Sequence, residues 1–233
     1  MKSLKWEAII IAIGLLLLGN QVRNGISEFI AKDRIVTVKG LAEMEVPADK
    51  VVWPLMFKDI GNDPALIYAN INKKNQAIVA FLKSRGIQEE EISIAAPEII
   101  DMEAERYGAQ QVNYRYNATS VITVTSGRVE AVRQLMSEQA ELLKQGIAIT
   151  GGDYRYNVTY SFTKLNDIKP RMIEEATRNA RAAAEKFAKD SDSRLGKIRN
   201  ASQGQFVIED RDSNTPYVKS IRVVTTVNYY LKN

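Results

Sequence analysis

The sequence of 233 residues contains neither cysteine nor histidine. Without cysteine the chain forms no disulfide, no thiolate metal site and no thiol nucleophile. Without histidine it lacks the commonest metal ligand, the usual base that activates a serine or cysteine, and the only side chain that ordinarily titrates near neutral pH. We therefore expect no cofactor, no metal site and no enzymatic activity, because catalysis would depend on carboxylates, lysine or tyrosine alone.

The charges of the chain are nearly balanced. Lysine and arginine together number 32 and aspartate and glutamate 28, which gives a formal net charge of +4. The basic residues are scattered among acidic ones and form no dense stripe of the kind that neutralises phosphates. We therefore expect no nucleic-acid partner. Since 45% of the residues are hydrophobic, the composition is that of a folded protein.

The N-terminal segment has the charged-then-apolar order of an export signal. Lys2 and Lys5 precede a run of aliphatic residues and glycine over 8–18. As a helix, residues 4–22 span about 28 Å, close to the hydrocarbon thickness of about 30 Å, so the sequence predicts contact with a membrane through this segment. No small-residue cleavage pattern follows, so we interpret 1–23 as a retained signal anchor, with a cleaved signal peptide as the alternative, and 24–34 as a linker.

Residues 35–233 alternate between the period-two pattern of strands and the period-3.6 pattern of helices, and no flexible linker divides them. We interpret them as one α+β domain, with a mostly antiparallel sheet and helices packed on one face. The order of elements indicates a ferredoxin-like βαββαβ core with extra strands, preceded by an N-terminal transmembrane helix. The first two strands are expected to pair through a turn at Pro47. The predicted strands cover about 35–45, 51–57, 92–105, 112–125, 154–163, 205–209 and 221–231, and the predicted helices about 64–85, 128–144 and 170–193.

The third predicted helix carries a stripe made mostly of alanine. Ala176, Ala180 and Ala184 recur at helical spacing, and Phe187 extends the same face. Because alanine has little side-chain bulk, another element can approach this face closely. We expect either these four residues or the edges of the sheet to contact a second copy of the chain in a homo-oligomer. Packing inside the domain is the alternative for the alanine face.

A short motif occurs twice in the second half of the fold. Tyr-Arg-Tyr-Asn-Ala-Thr at 114–119 returns as Tyr-Arg-Tyr-Asn-Val-Thr at 154–159. If the two strands lie parallel, Arg115 and Arg155 share one face, where their like charges need a carboxylate or an anionic ligand. Arg115, Arg155 and Glu103 are therefore the candidate residues of a periplasmic binding module for an anionic or glycan ligand.

Acidic residues upstream of the first motif are possible partners of these arginines. Asp101, Glu103 and Glu105 alternate along the preceding predicted strand, and a hairpin through Gly108 would set Glu103 opposite Arg115. Solvent-exposed ion pairs, each worth about 0.2–1 kcal/mol, are the simpler interpretation. A glycosidase pair is a further alternative, since two carboxylates about 5–10 Å apart hydrolyse glycosides without histidine. That alternative requires a deep cleft and an acid with a raised pKa.

Three stretches resemble the SIMPL-domain family, in the order in which that family has them. They are the glycine-containing first strand with its Pro-Ala-Asp turn from Val36 to Asp49, the alanine-rich segment from Ala176 to Ala188, and Leu195-Gly-Lys-Ile198. The resemblance implies a non-enzymatic, homo-oligomeric and sometimes ring-shaped protein of the bacterial cell envelope, with a role in envelope integrity or stress tolerance. It supplies no catalytic residues. We accordingly expect a membrane-anchored chain with its domain in the periplasm, or a soluble periplasmic or secreted one if the signal is cleaved.

Overall fold

The computed structural model describes residues 3–31, 34–104, 113–150 and 154–232, and it has the predicted α+β composition. Two short 3-10 segments, Glu89–Glu91 and Tyr154–Tyr156, accompany the helices and strands. The helices are α1 (Ser3–Ala31), α2 (Pro64–Ser84), α3 (Val129–Glu138), α4 (Ala140–Lys144) and α5 (Leu165–Asp190). The strands are β1 (Ile35–Pro47), β2 (Lys50–Gly61), β3 (Ile92–Ile94), β4 (Glu98–Asp101), β5 (Tyr116–Ser126), β6 (Thr159–Ser161), β7 (Arg194–Gln203), β8 (Val207–Asp210) and β9 (Val218–Lys232).

The strands form two antiparallel sheets. In the five-stranded sheet the order is β3, β5, β2, β6, and β4 also pairs with β5. In the four-stranded sheet β9 lies between β1 and β7 and also pairs with β8. The expected pairing of the first two strands is therefore wrong, because β1 and β2 belong to different sheets. The ferredoxin-like arrangement of the core stays a prediction.

The chain divides into two compact units, and the single domain over 35–233 stays a prediction. The first unit comprises Met1–Met44, Asn166–Ile208 and Ile221–Asn233. The second comprises Glu45–Leu165 and Glu209–Ser220. The second unit contains the five-stranded sheet with α2, α3 and α4, whereas the first contains α1 and nearly all of α5.

Helices cover one face of the five-stranded sheet in the second unit. Alternate residues of β2 and β5 point to this face, because the register sets Trp53 beside Val124 and Leu55 beside Ile122. Helices α2, α3 and α4 pack their apolar faces on these side chains. The resulting core contains Val51, Trp53, Leu55, Phe57, Ala118, Ile122 and Val124 from the strands and Ile67, Ile71, Ile78, Leu82, Val132, Leu135 and Leu142 from the helices.

Two prolines shape this sheet. Pro97 lies between β3 and β4, so the strand predicted over 92–105 is two short strands. Pro54 pairs with Thr123 of β5 on one side, while β6 pairs only with Lys50–Val52 of β2. Since proline has no N–H to donate, it is compatible with a strand position that has a neighbouring strand on one side only.

Helix α5 packs against strands of the first unit through its alanines. Val38 of β1 and Val227 and Tyr229 of β9 form a buried cluster with Ala180 and Ala184. Small side chains on the helix allow its backbone to lie close to the sheet. The alanine stripe predicted from the sequence is therefore part of the core of this unit.

The closest approach between α5 and the sheet is at Gly40 of β1. A Cβ atom at this position would lie 1.9 Å from the carbonyl oxygen of Ala176 and 2.4 Å from the backbone nitrogen of Ala180. Beside it, the Asn179 side chain donates a hydrogen bond to the carbonyl oxygen of Leu41 at 2.8 Å. Only glycine fits at position 40 with the helix in this place.

Helix α1 continues to Ala31, past residue 23 where the sequence predicts the end of the signal segment. Within it, Trp6–Gly25 has a mean hydropathy of 1.4, and none of this window is buried. By length and composition the helix is able to cross a membrane, and it fits a signal anchor or a signal peptide. The segment predicted as a linker therefore begins as a continuation of the helix.

Candidate functional site

Arg115 lies in a charged cluster at the start of β5. Its N–H donates to Asn62 Oδ1 at 2.8 Å, and its carbonyl oxygen accepts from the N–H of Met102 at 2.7 Å. Its guanidinium donates to Asp101 Oδ2 through Nε at 3.1 Å and Nη2 at 2.9 Å, and Nε lies 3.5 Å from Glu103 Oε2. The contact that the sequence predicts between Glu103 and Arg115 is present, with Asp101 as the closer partner.

Asp101 and Arg115 shift each other's pKa. Hydrogen bonds from Arg115, followed by those from two backbone N–H groups, hold the pKa of the Asp101 carboxyl below its usual value. Asp101 in turn raises the pKa of Arg115. A general acid in glycoside hydrolysis needs a raised pKa, which is the reverse of what Asp101 shows. Glu105 and the expected turn at Gly108 lie outside the described residues.

Arg155 lies in the 3-10 segment Tyr154–Tyr156, where the sequence predicts a strand. A strand over these residues would pair with β2 beyond Val52, where Pro54 has no N–H to donate to it. Strand β2 also lies between β5 and β6 in the sheet. Strands β5 and β6 both run antiparallel to β2, so they are parallel to each other but not adjacent, and a face shared by Arg115 and Arg155 stays a prediction.

The repeated motif does produce one repeated contact. Arg115 lies 5.2 Å from the ring centre of Tyr116, and Arg155 lies 5.4 Å from the ring centre of Tyr156. Each arginine is thus within cation–π distance of the tyrosine that follows it. These contacts are local to each copy of the motif, and the shared ligand site stays a prediction.

We expect Arg115→Ala to lower the melting temperature by less than about 2 °C at neutral pH, because exposed ion pairs contribute little in water. The Arg115 side chain is 50% exposed and that of Asp101 27%. Because the pKa of Asp101 is lowered in the folded state, its contribution is present above the ordinary carboxyl range and is lost as the pH falls through the folded value. Calorimetry of wild type and variant at pH 7 and pH 3 measures both effects.

The matched control is Arg181→Ala, which removes an exposed ion pair within α5, 2.8 Å from Nε of Arg181 to Oε1 of Glu185. Both variants should behave alike at pH 7. A fall in melting temperature of more than about 8 °C for Arg115→Ala alone would contradict this prediction. It would show that the cluster holds β4 against β5.

The four predicted contact residues of α5 differ in exposure. Ala176, Ala180 and Ala184 have no exposed surface, because they are buried in the core of their own unit. Phe187 is 61% exposed. The alternative prediction is packing inside the domain. It accounts for the burial of the three alanines. A contact with a second copy through this helix stays a prediction for Phe187.

Two grooves lie beside helices of the second unit. The first runs along α2, where its lining includes Asn72, Gln76 and Lys83, and the second is mostly apolar and follows α3 and α4. Neither lining contains a carboxylate. Within 3–31, 34–104, 113–150 and 154–232, no group of three or more acidic side chains lies close enough together to hold a metal ion. These grooves therefore offer surfaces for contact but no acid–base pair.

Strand β7 is the main element that sequence reasoning misses. The segment reads as a loop because Gly196 interrupts it and polar side chains dominate it. The length of the segment is the signal that could have revealed a strand. About eleven residues separate the predicted helix from the next predicted strand, roughly twice the median length of a connection. Ile198, in this strand, is 50% exposed.

A comparison with known protein families matches most of the chain. Residues 36–228 match the SIMPL family, which is described as a protein of unknown function (DUF541). No curated protein matches the chain. The matched region runs from β1 into β9 and includes both Gly40 and the buried alanines of α5. Since the match covers most of the sequence, the chain belongs to the SIMPL family.

Proposed function

We propose that this SIMPL-family chain is a non-enzymatic protein of the bacterial cell envelope, anchored in a membrane by α1, with its α+β region in the periplasm. The observation that carries the proposal is that no part of the apolar helix Trp6–Gly25 is buried. A helix that belongs to a soluble core buries its apolar side chains, whereas a helix in lipid leaves them facing outward. Lipid is the environment that suits such a surface.

The chemistry of the described residues supports a role without catalysis. The chain has no histidine or cysteine to act as a base or nucleophile near neutral pH. In the charged cluster around Arg115, the pKa of the Asp101 carboxyl is lowered. The two grooves beside the helices have no carboxylate in their linings. A binding module for an anionic or glycan ligand ranks second, because an anion at Arg115 would have to displace Asp101.

A homo-oligomeric state is part of the same proposal. Large apolar side chains remain exposed outside α1, including Phe187 at 61% on α5 and Ile198 at 50% on β7. A second copy of the chain would remove such side chains from water. Native mass spectrometry of the full chain in detergent should show a mass above that of one copy, and a strictly monomeric species at micromolar concentration would contradict this part.

Anchoring by α1 is tested with charges in the apolar helix. We expect wild-type protein to stay with membranes after washing with alkaline carbonate, and the double variant Leu16→Arg and Leu17→Arg to be released. Each arginine at the centre of a membrane helix costs about 2.5–3.5 kcal/mol. The control is Leu143→Arg, which changes an exposed leucine of α4 and should leave the protein in the membrane.

The same cells test the orientation. Because the natural chain has no cysteine, Gln145→Cys carries the only thiol, at an exposed position after α4. We expect a membrane-impermeant maleimide to label it in intact spheroplasts. Labelling only after lysis would overturn the periplasmic placement, and carbonate extraction of the wild-type chain would overturn the anchor.

A further inference from the structure

The outer edge of the four-stranded sheet is exposed along most of its length. We call residues 194–210, which contain β7 and β8, the β7–β8 edge. Every residue of β7 except Leu195 and Gly196 is exposed, and so is every residue of β8. The exposed side chains include apolar ones, with Ile198 at 50% and Ile208 at 37%. Among the residues that the structure describes, most of this edge therefore lies open to solvent.

The backbone of this edge is able to accept another strand. Strand β7 pairs with β9 on one side, and no other described strand pairs with it. Its ladder with β9 shifts register twice between Leu195 and Asn200 and is regular from Asn200 to Gln203. The N–H of Gly204 continues the ladder by donating to the carbonyl oxygen of Val224 at 2.8 Å. An edge of this kind presents a row of N–H and C=O groups to any strand that approaches.

The charges of the edge are separated by sign. Lys197 and Arg199 lie on β7, and Glu209 lies on β8. In the part of the chain that the structure describes, none of these three side chains forms an ion pair. Basic residues alone protect an edge strand from pairing with its own copy, because like charges meet. Here antiparallel pairing of two copies brings the basic end of one edge to the acidic end of the other.

We propose that a second copy of this chain pairs with the β7–β8 edge, antiparallel to it and about a twofold axis at Gln203. In this register Ile198 lies opposite Ile208 of the second copy, and Lys197 lies opposite Glu209 of the second copy. Twofold symmetry makes each of these contacts twice. The proposal rests on the homo-oligomer of the proposed function and names the surface that forms it.

A second copy fits this edge because the edge is complementary to itself. One strand segment supplies both halves of every contact, so no other protein is needed to provide the opposite charge or the opposing isoleucine. The paired strands would also satisfy the backbone groups along the edge. Pairing therefore covers the exposed isoleucines and neutralises the unpaired charges in one step.

The absence of cysteine makes the twofold axis directly testable. In the full chain in membranes, Gln203→Cys should give a disulfide-linked dimer under mild oxidation, because Cα atoms of directly opposite residues lie about 4.5–5.5 Å apart, within the range of a disulfide. Gln145→Cys, an exposed glutamine replaced in the same way after α4, is the matched control and should remain monomeric on a non-reducing gel.

Charge reversal in the Gln203→Cys background tests the register. Lys197→Glu or Glu209→Lys alone places like charges opposite each other and should reduce dimer formation about fivefold. The two reversals together restore opposite charges and should restore the dimer. A structural role of either residue within one copy would not give this recovery.

The outcomes separate the interface from the oligomer itself. An oligomer by native mass spectrometry without a Gln203→Cys dimer overturns the β7–β8 interface and leaves the proposed function standing. A dimer through Phe187→Cys instead would place the contact on α5. A monomer by mass in every preparation overturns both the oligomer and its interface. A Gln203→Cys dimer that ignores both charge reversals overturns the register.

Discussion

Gly40→Ala should lower the free energy of unfolding by about 3 kcal/mol or more, which is a large effect for the addition of one methyl group. The new Cβ would lie 1.9 Å from the carbonyl oxygen of Ala176 and 2.4 Å from the nitrogen of Ala180. Both atoms belong to the backbone of α5, so no side-chain rotation relieves the overlap. The helix has to move away from β1, which opens the core around Val38 and Ala184.

Denaturant unfolding of the full chain in detergent measures this effect. The matched control is Gly127→Ala, where the new Cβ would lie 3.5 Å from the carbonyl oxygen of Asp49, an ordinary contact distance. We expect the control to change the free energy of unfolding by less than about 1 kcal/mol. Equal effects of the two substitutions would show that the close approach of α5 to Gly40 does not limit stability.

Asp210→Ala should lower the free energy of unfolding by about 2–3 kcal/mol. Asp210, in β8, forms an ion pair with Lys219 of β9, whose side chain is only 8% exposed. Removing the carboxylate leaves a buried ammonium group without an opposite charge. This destabilises the fold more than removing both charges would. The expected value is below that of a fully buried pair because the Asp210 side chain is 48% exposed.

Lys219→Met distinguishes the effect of the buried charge on stability from the effect of side-chain packing. Methionine removes the buried charge and keeps an apolar side chain, so we expect a change of less than about 1 kcal/mol, and Asp210→Ala added to it should have little further effect. The control for a surface pair is Asp190→Ala, since Lys186 and Asp190 are 79% and 61% exposed. Denaturant unfolding of the four variants measures the free energies. If the losses in free energy of unfolding add up in the double variant, the explanation by a buried charge is contradicted.

The sequence predicts the elements whose side chains face a core. Helix α2 begins after Asp63, whose Oδ1 accepts from the N–H groups of Ala65 and Leu66 at 2.8 and 3.3 Å, as its capping pattern indicates. The alanine stripe of α5 has helical spacing because one face is buried. Strand β7 has no such pattern, since its side chains face water on both sides of the sheet and no alternation results.

The strands with which β1 and β2 pair lie far away along the chain, so the local sequence does not reveal them. Asp49, in the turn between them, accepts hydrogen bonds from the N–H of Thr163 at 2.8 Å and from the N–H of Lys164 at 3.1 Å. The N–H of Ala48 donates to the carbonyl oxygen of Tyr217 at 2.8 Å. The Pro-Ala-Asp turn is thus held by later segments of the chain and connects strands of two sheets instead of closing a hairpin.

In the candidate site too, the sequence predicts local contacts but not contacts that depend on the order of the strands. The spacing of acidic residues and Arg115 predicts the ion pair with Glu103, because a local reversal of the chain is sufficient to form it. The position of Arg155 depends on the order of strands in the sheet and on Pro54 in a strand far away along the chain. Sequence periodicity predicts neither the order of the strands nor the effect of Pro54 on a distant segment, so the sequence does not determine whether the two arginines share a surface.

The division of the chain into units made of alternating segments has a consequence for its synthesis. Strand β1 pairs with β9, and the N–H of Leu231 donates to the carbonyl oxygen of Arg34 at 2.8 Å, so the two ends of the folded region close one sheet. During synthesis the residues of the second unit are nearly all present while β1 still lacks its neighbour β9. The unpaired strand remains a target for aggregation until the last residues arrive, so a holdase chaperone would protect this chain most at that stage.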